Sequence, residues 1–184
     1  MPKTATSTGP PVFSRLKVWI INETMASIVW TAVKSVNPRE LRPVAPLRAG
    51  AAFYPVNLLA MVTYCYALGV LGSQEIESMI SEDTEFLKLC RNEYPSWKMI
   101  RRFRKHNFPA IEQCLSETFR AAWGFPAQSD APGKPLGTAL NKTGLPNIRL
   151  PDEPSADSDW FRGEARDRIE KAMWIDQMAM DDDE

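Results

Sequence analysis

The chain has 184 residues, 22 of them Lys or Arg and 23 Asp or Glu, for a formal net charge of −1 with a single histidine. That length gives room for one domain plus tails, and the 44% apolar content is that of an ordinary globular protein rather than a disordered or fibrous one. Three cysteines are an odd number for a disulfide framework and too widely spaced for a zinc pattern, so a reducing, cytoplasmic setting is expected.

The charge is strongly segregated. Residues 1–50 carry a net +5, 51–90 a net −4, 91–108 a net +5, 109–150 a net +1 and 151–184 a net −8. Local fields govern association, so two positive segments count for more than a near-neutral total.

Residues 1–11 are polar and Pro-bearing and read as a flexible arm, without the apolar stretch of a signal peptide. Residues 12–36 hold Val12, Leu16, Trp19, Ile20, Ile28, Trp30, Val33 and Val36, enough for one long or two short helices, although Ile20-Ile21 and Ile28-Val29 also suit a strand. Asn37-Pro38 ends the segment, and Pro43 and Pro46 keep the next residues extended.

Pro55 suits the first turn of a helix running to about Leu68, with Gly69 or Gly72 stopping it. No charge occurs from Ala49 to Gln74, but Pro55, Asn57, Thr63, Tyr64 and Tyr66 interrupt the apolar run, which favours a buried core helix over a membrane span. Ser73 is expected to cap a second helix, with Glu75 and Glu77 near its positive end and Ile76, Met79 and Ile80 facing inward. Asp83 would start a third, containing Phe86, Leu87, Leu89 and Cys90.

Pro95 or Ser96 opens the most informative element, which ends near His106 and packs five cations and the lone histidine into nine positions. At 100° per residue, Lys98, Arg101, Arg102 and Lys105 share an arc of roughly 100°, Arg104 falls at its border, and Met99, Ile100 and Phe103 gather opposite. A row of cations with an apolar back fits a helix that sits on a core and meets phosphate. Lys98, Arg101, Arg102, Arg104, Lys105 and His106 are therefore the candidate DNA-binding residues. Trp97 reads as a core anchor at the start of this helix.

Asn107 and Pro109 break and restart the chain, and Ile111, Leu115, Phe119 and Ala122 mark a core helix ending at Gly124. Cys65 and Cys114, on apolar helical patterns, read as buried thiols. Residues 125–158 are rich in Pro, Gly and polar residues without helical or strand period, and read as a disordered linker. Ser158 or Asp159 would cap a last helix with a narrow stripe of Phe161, Ala165, Ile169, Ala172 and Met173, which needs a surface to lie on. The terminal Asp181-Asp182-Asp183-Glu184 reads as a solvated acidic tail rather than a metal set.

The whole predicts an all-α protein: a small helical bundle over 12–124 containing a helix-turn-helix-like unit, a linker, and an amphipathic helix with its tail over 159–184. Catalytic chemistry is not indicated. His106 is the only candidate base and its cationic neighbours suit it poorly to that task, and there is no phosphate loop, zinc histidine pair or CxxC. No metal or other cofactor is expected.

The block from Tyr54 to about Trp123 resembles the amino-terminal helical domain of bacterial insertion-sequence transposases of the DDE class. The features that carry the resemblance are Tyr54-Pro55 with Leu58-Leu59, Tyr64 and Gly69, then Ser73 and Ile76-Glu77, then Asp83, Phe86 and Leu89, then Tyr94-Pro95, Ile100 and Phe103-Arg104. They cover about 70 residues in order and spacing. The chain departs from the family in having Ser96 where an Asp is usual after the Pro, and Gln74 where a basic residue often follows the Ser. The resemblance implies recognition of the terminal inverted repeats of a mobile element, with strand cutting assigned to a separate RNase H-like domain that this sequence shows no pattern for. Double-stranded DNA is the implied partner, with a homodimer or a transposase as the second.

Overall fold

The computed structural model describes residues 25–44, 53–82, 86, 91, 93–124 and 158–181, and within them the protein is all-α. The elements are α1 (25–35), a 3₁₀ turn (Pro38–Glu40), α2 (Pro55–Leu68), α3 (Ser73–Glu82), α4 (Trp97–His106), α5 (Phe108–Gly124) and α6 (Ser158–Asp181). The residues assigned to the flexible arm, to the first part of segment 12–36, to the linker up to 157 and to the end of the acidic tail lie outside this set.

The centre of the fold is α2. Every side chain from Asn57 to Leu68 is buried, as expected of a helix apolar all round. Pro55 opens it, where a missing N–H costs nothing, and Gly69 at φ 86° closes it in the left-handed conformation. Around it, α5 packs against α2 and α6, while α4 packs against both α2 and α3. The inward residues of α5 are those the 3.6 period marks: Ile111, Leu115, Phe119 and Ala122. No described helix is by itself long and apolar enough to cross a membrane; α2 and α3 meet that test only as a pair bent by 104°.

Local chemistry sets the joints. Asn37 accepts a hydrogen bond from the Arg39 amide at 3.1 Å, closing the 3₁₀ turn after α1. At the break between α4 and α5, the buried Asn107 side chain accepts from the Arg42 amide (2.7 Å) and donates to the Arg42 and Phe103 carbonyls. One amide thus ends α4 and ties the chain after the 3₁₀ turn to the bundle.

The surface that α6 requires is α5. Phe161, Ala165, Ile169 and Ala172 are all buried, but Met173 is 42% exposed. It lies about 90° around the helix from the centre of the buried stripe, so it does not belong to that stripe. Polar contacts lock the same face: the exposed Arg162 and Arg166 reach the buried Glu112 of α5 at 2.6 and 3.1 Å. Arg168, itself buried, donates to the Tyr66 and Ala67 carbonyls at the end of α2 (2.7 and 3.1 Å) and lies over the Phe119 ring at 4.6 Å. A cation at those last-turn carbonyls complements the negative end of α2.

One expectation changes, and another falls outside the described residues. Ser73 is the first residue of α3 rather than its cap, because its amide donates to Asp176 of α6 at 2.8 Å. A carboxylate 103 positions away performs the capping. The helix-turn-helix unit needs the helix expected from Asp83, whose residues Asp83, Leu87, Leu89 and Cys90 lie outside the described set. Phe86 is described as helical and buried, its ring stacked on Tyr64 at 5.7 Å.

Candidate nucleic-acid interface

The sequence of α4 divides it sharply. Ser96 takes the N-cap position with extended dihedrals, although its side chain makes no capping bond. Met99, Ile100 and Phe103 enter the core, as the helical period requires. On the other side Lys98, Arg102, Lys105 and His106 are exposed and Arg101 is half-exposed. None of these five forms an ion pair among the described residues. Lys98 lies 5.2 Å above the ring of its half-buried neighbour Trp97, which screens little of its charge from solvent. The row therefore stands free to exchange counterions with a polyanion.

Arg104 is the exception. Expected at the border of the cationic arc, it is 1% exposed and is the largest fully buried side chain described. Its Nη2 is ion-paired with Asp176 of α6, and its Nη1 donates to the Tyr66 hydroxyl at 2.6 Å. The Ser73 hydroxyl donates to the same Asp176 oxygen at 2.5 Å. In this conformation Arg104 cannot touch a duplex, and its place among the contact residues is corrected.

Burial is what makes this cluster consequential. Desolvation pushes the Tyr66 phenol up to about 12, despite the opposing pull of the Arg104 charge. Burial alone would weaken the Arg104 cation, but Tyr66 and Asp176 outweigh it and hold the guanidinium above its usual range. For Arg168, burial prevails and lowers its value against the pull of Glu164. The Cys114 thiol, buried as expected along with Cys65, is pushed up to about 12, chiefly by desolvation. Such a thiol is inert at neutral pH.

Sequence reasoning passed over Asp176 and Tyr66. Asp176 lies in the acidic segment 151–184, in which only the run from Asp181 to Glu184 reads as a solvated tail. The available signal was that Asp176 continues the i, i+4 spacing of Ala165, Ile169 and Ala172, on the face that must be covered.

A separate open cleft of about 440 Å³ is lined by Trp30, Tyr54, Val56, Asn57, Arg91 and Glu93. There Glu93 Oε1 accepts from the Tyr54 amide (3.3 Å) and Asn57 Nδ2 (3.0 Å), and the Arg91 guanidinium lies over Trp30 at 5.0 Å. Among the described residues, no three His, Cys, Asp or Glu side chains converge as a metal set.

No protein-family model, curated protein or solved structure matches this chain. The functional reading therefore rests on the residues themselves.

Proposed function

We propose that this chain binds double-stranded DNA through α4, as an end-recognition domain of transposase type without nuclease chemistry of its own. One observation carries the reading: Lys98, Arg101, Arg102 and Lys105 lie side by side on one helical face, without an ion-pair partner among the described residues, on a helix whose back is fixed in the core. A rigid row of this kind fits a groove edge, with arginine to guanine the commonest base contact. His106, the residue after Lys105, borders the row on the Arg102 side.

The test is an electrophoretic shift assay against random duplexes with selection, comparing the wild type with the fourfold alanine variant at Lys98, Arg101, Arg102 and Lys105. Neutralising about four phosphates gives a slope of log K against log salt near −3 to −4, which the variant should lose. A salt-independent affinity, or none, defeats the reading.

A second reading is favoured by the outer side of α6, where Trp174 is 61% and Met178 46% exposed. On that reading the chain pairs with a transposase and modulates it. Co-purification with a transposase in the absence of DNA affinity distinguishes it.

A further inference from the structure

We propose that the junction of α3 and α4 is a phosphate-binding site whose resident occupant is the chain's own Asp176 carboxylate, displaced when the end of α6 peels away. The donors form a built anion site. The Ser73 amide stands at the N-terminus of the ten-residue α3, where the helix end favours negative charge. The Ser73 hydroxyl and the Arg104 guanidinium complete it, and both residues are at most 1% exposed.

Asp176 does not use the site fully. Arg104 Nε is buried and has no hydrogen-bond partner among the described residues, while Nη2, on the same edge of the planar guanidinium, is engaged. That edge is the fork arginine offers to phosphate in bidentate contacts. A carboxylate has two oxygens, and both are already committed to Ser73 and Arg104. A tetrahedral oxyanion brings further oxygens and can take Nε as well.

Displacement is local because α6 is held unevenly. Up to Ala172 it is anchored by Phe161, Ala165, Ile169, the buried Arg168 and the Glu112 pairs. Beyond Ala172, Met173, Trp174, Gln177 and Met178 are exposed, leaving Asp176 and the half-buried Ile175 and Ala179 as the anchors described. Ile175 touches α3 near Gly72, where an added Cβ would meet its Cγ2 at 3.4 Å. Peeling residues 173–181 thus opens the anion site without disturbing the α5–α6 core.

The probe is inorganic phosphate against chloride at matched ionic strength, acting on the full chain. Amide hydrogen exchange over 173–181 should quicken as phosphate rises while 161–172 is unchanged; an indifferent 173–181 segment overturns the proposal. In Asp176→Ala, which removes the competitor, phosphate should bind about tenfold more tightly than to the wild type, read from the thermal midpoint. Adding Arg104→Met should abolish that response. A response in Asp176→Ala no stronger than the wild type's, or one that survives Arg104→Met, overturns it too. If Asp176→Ala unfolds in chloride, phosphate should restore its helical circular dichroism, and failure to do so counts against the site. A parallel arm replaces phosphate with a short duplex. It rests on the DNA-binding reading and assigns the source: a response to phosphate but not to duplex keeps the site and points to a free phosphate.

Discussion

Arg104 and Arg102 stand two positions apart on one short helix, yet they belong to different parts of the protein's physics. Arg102 is exposed with no ion-pair partner among the described residues, and Arg104 is wrapped in Asp176 and Tyr66. The lesson is that a dense run of cations need not share one role. The periodicity of the helix assigns each residue a side, and the counterion that meets an inward cation then makes it structural.

The comparison is broken most directly by truncating each arginine. Arg104→Ala should lower unfolding free energy by about 3–5 kcal/mol in urea titration, because it strands a buried carboxylate. Arg102→Ala should stay within about 0.5 kcal/mol. Equal losses would erase the distinction. The same contrast on α6 gives a somewhat smaller effect: Ile169→Ala should cost about 2–4 kcal/mol through the cavity it leaves against the core, and Trp174→Ala next to nothing.

Asn107→Ala sharpens the account of how the back of α4 is fixed. It removes three hydrogen bonds at once and leaves the Arg42 amide without its acceptor, for a cost of about 1–3 kcal/mol.

The smallest effect is seen against pH. Tyr66 and Cys114 both titrate higher in the fold than their ordinary values of 10.0 and 9.0, so the folded state keeps protons that the unfolded chain has released. Their contribution is complete below about pH 9 and declines as pH rises toward about 12. Cys114→Ala should move the onset of alkaline destabilisation from about 9 toward 10, checked by denaturation midpoints across that range.

The helices of the bundle were readable because their signals are local. Pro55 and Gly69 bracket α2, and Met99, Ile100 and Phe103 announce the inward side of α4 at a 3.6 period. The narrow stripe of α6 likewise foretold that it must lie on something. What could not be read was the meeting of Arg104 with Asp176, since 72 positions separate them and nothing near either one signals the other. Ser73 misled for the same reason. A serine ahead of a helix looks like its own cap, and only packing shows that a distant carboxylate has taken the role. The row formed by Lys98, Arg101, Arg102 and Lys105 was legible because solvent imposes no partner on it.

The distance along the chain between Arg104 and its counterion also has a temporal side. At translation rates of 5–20 residues per second, the ribosome needs roughly 4–14 s to make the 72 positions that separate them. Small helical units fold far faster than that. For those seconds a nascent α4 carries a guanidinium destined for the interior with no acid to meet it, and α5 presents an uncovered apolar side. Completion of the native packing is thus timed by the arrival of α6 from the exit tunnel.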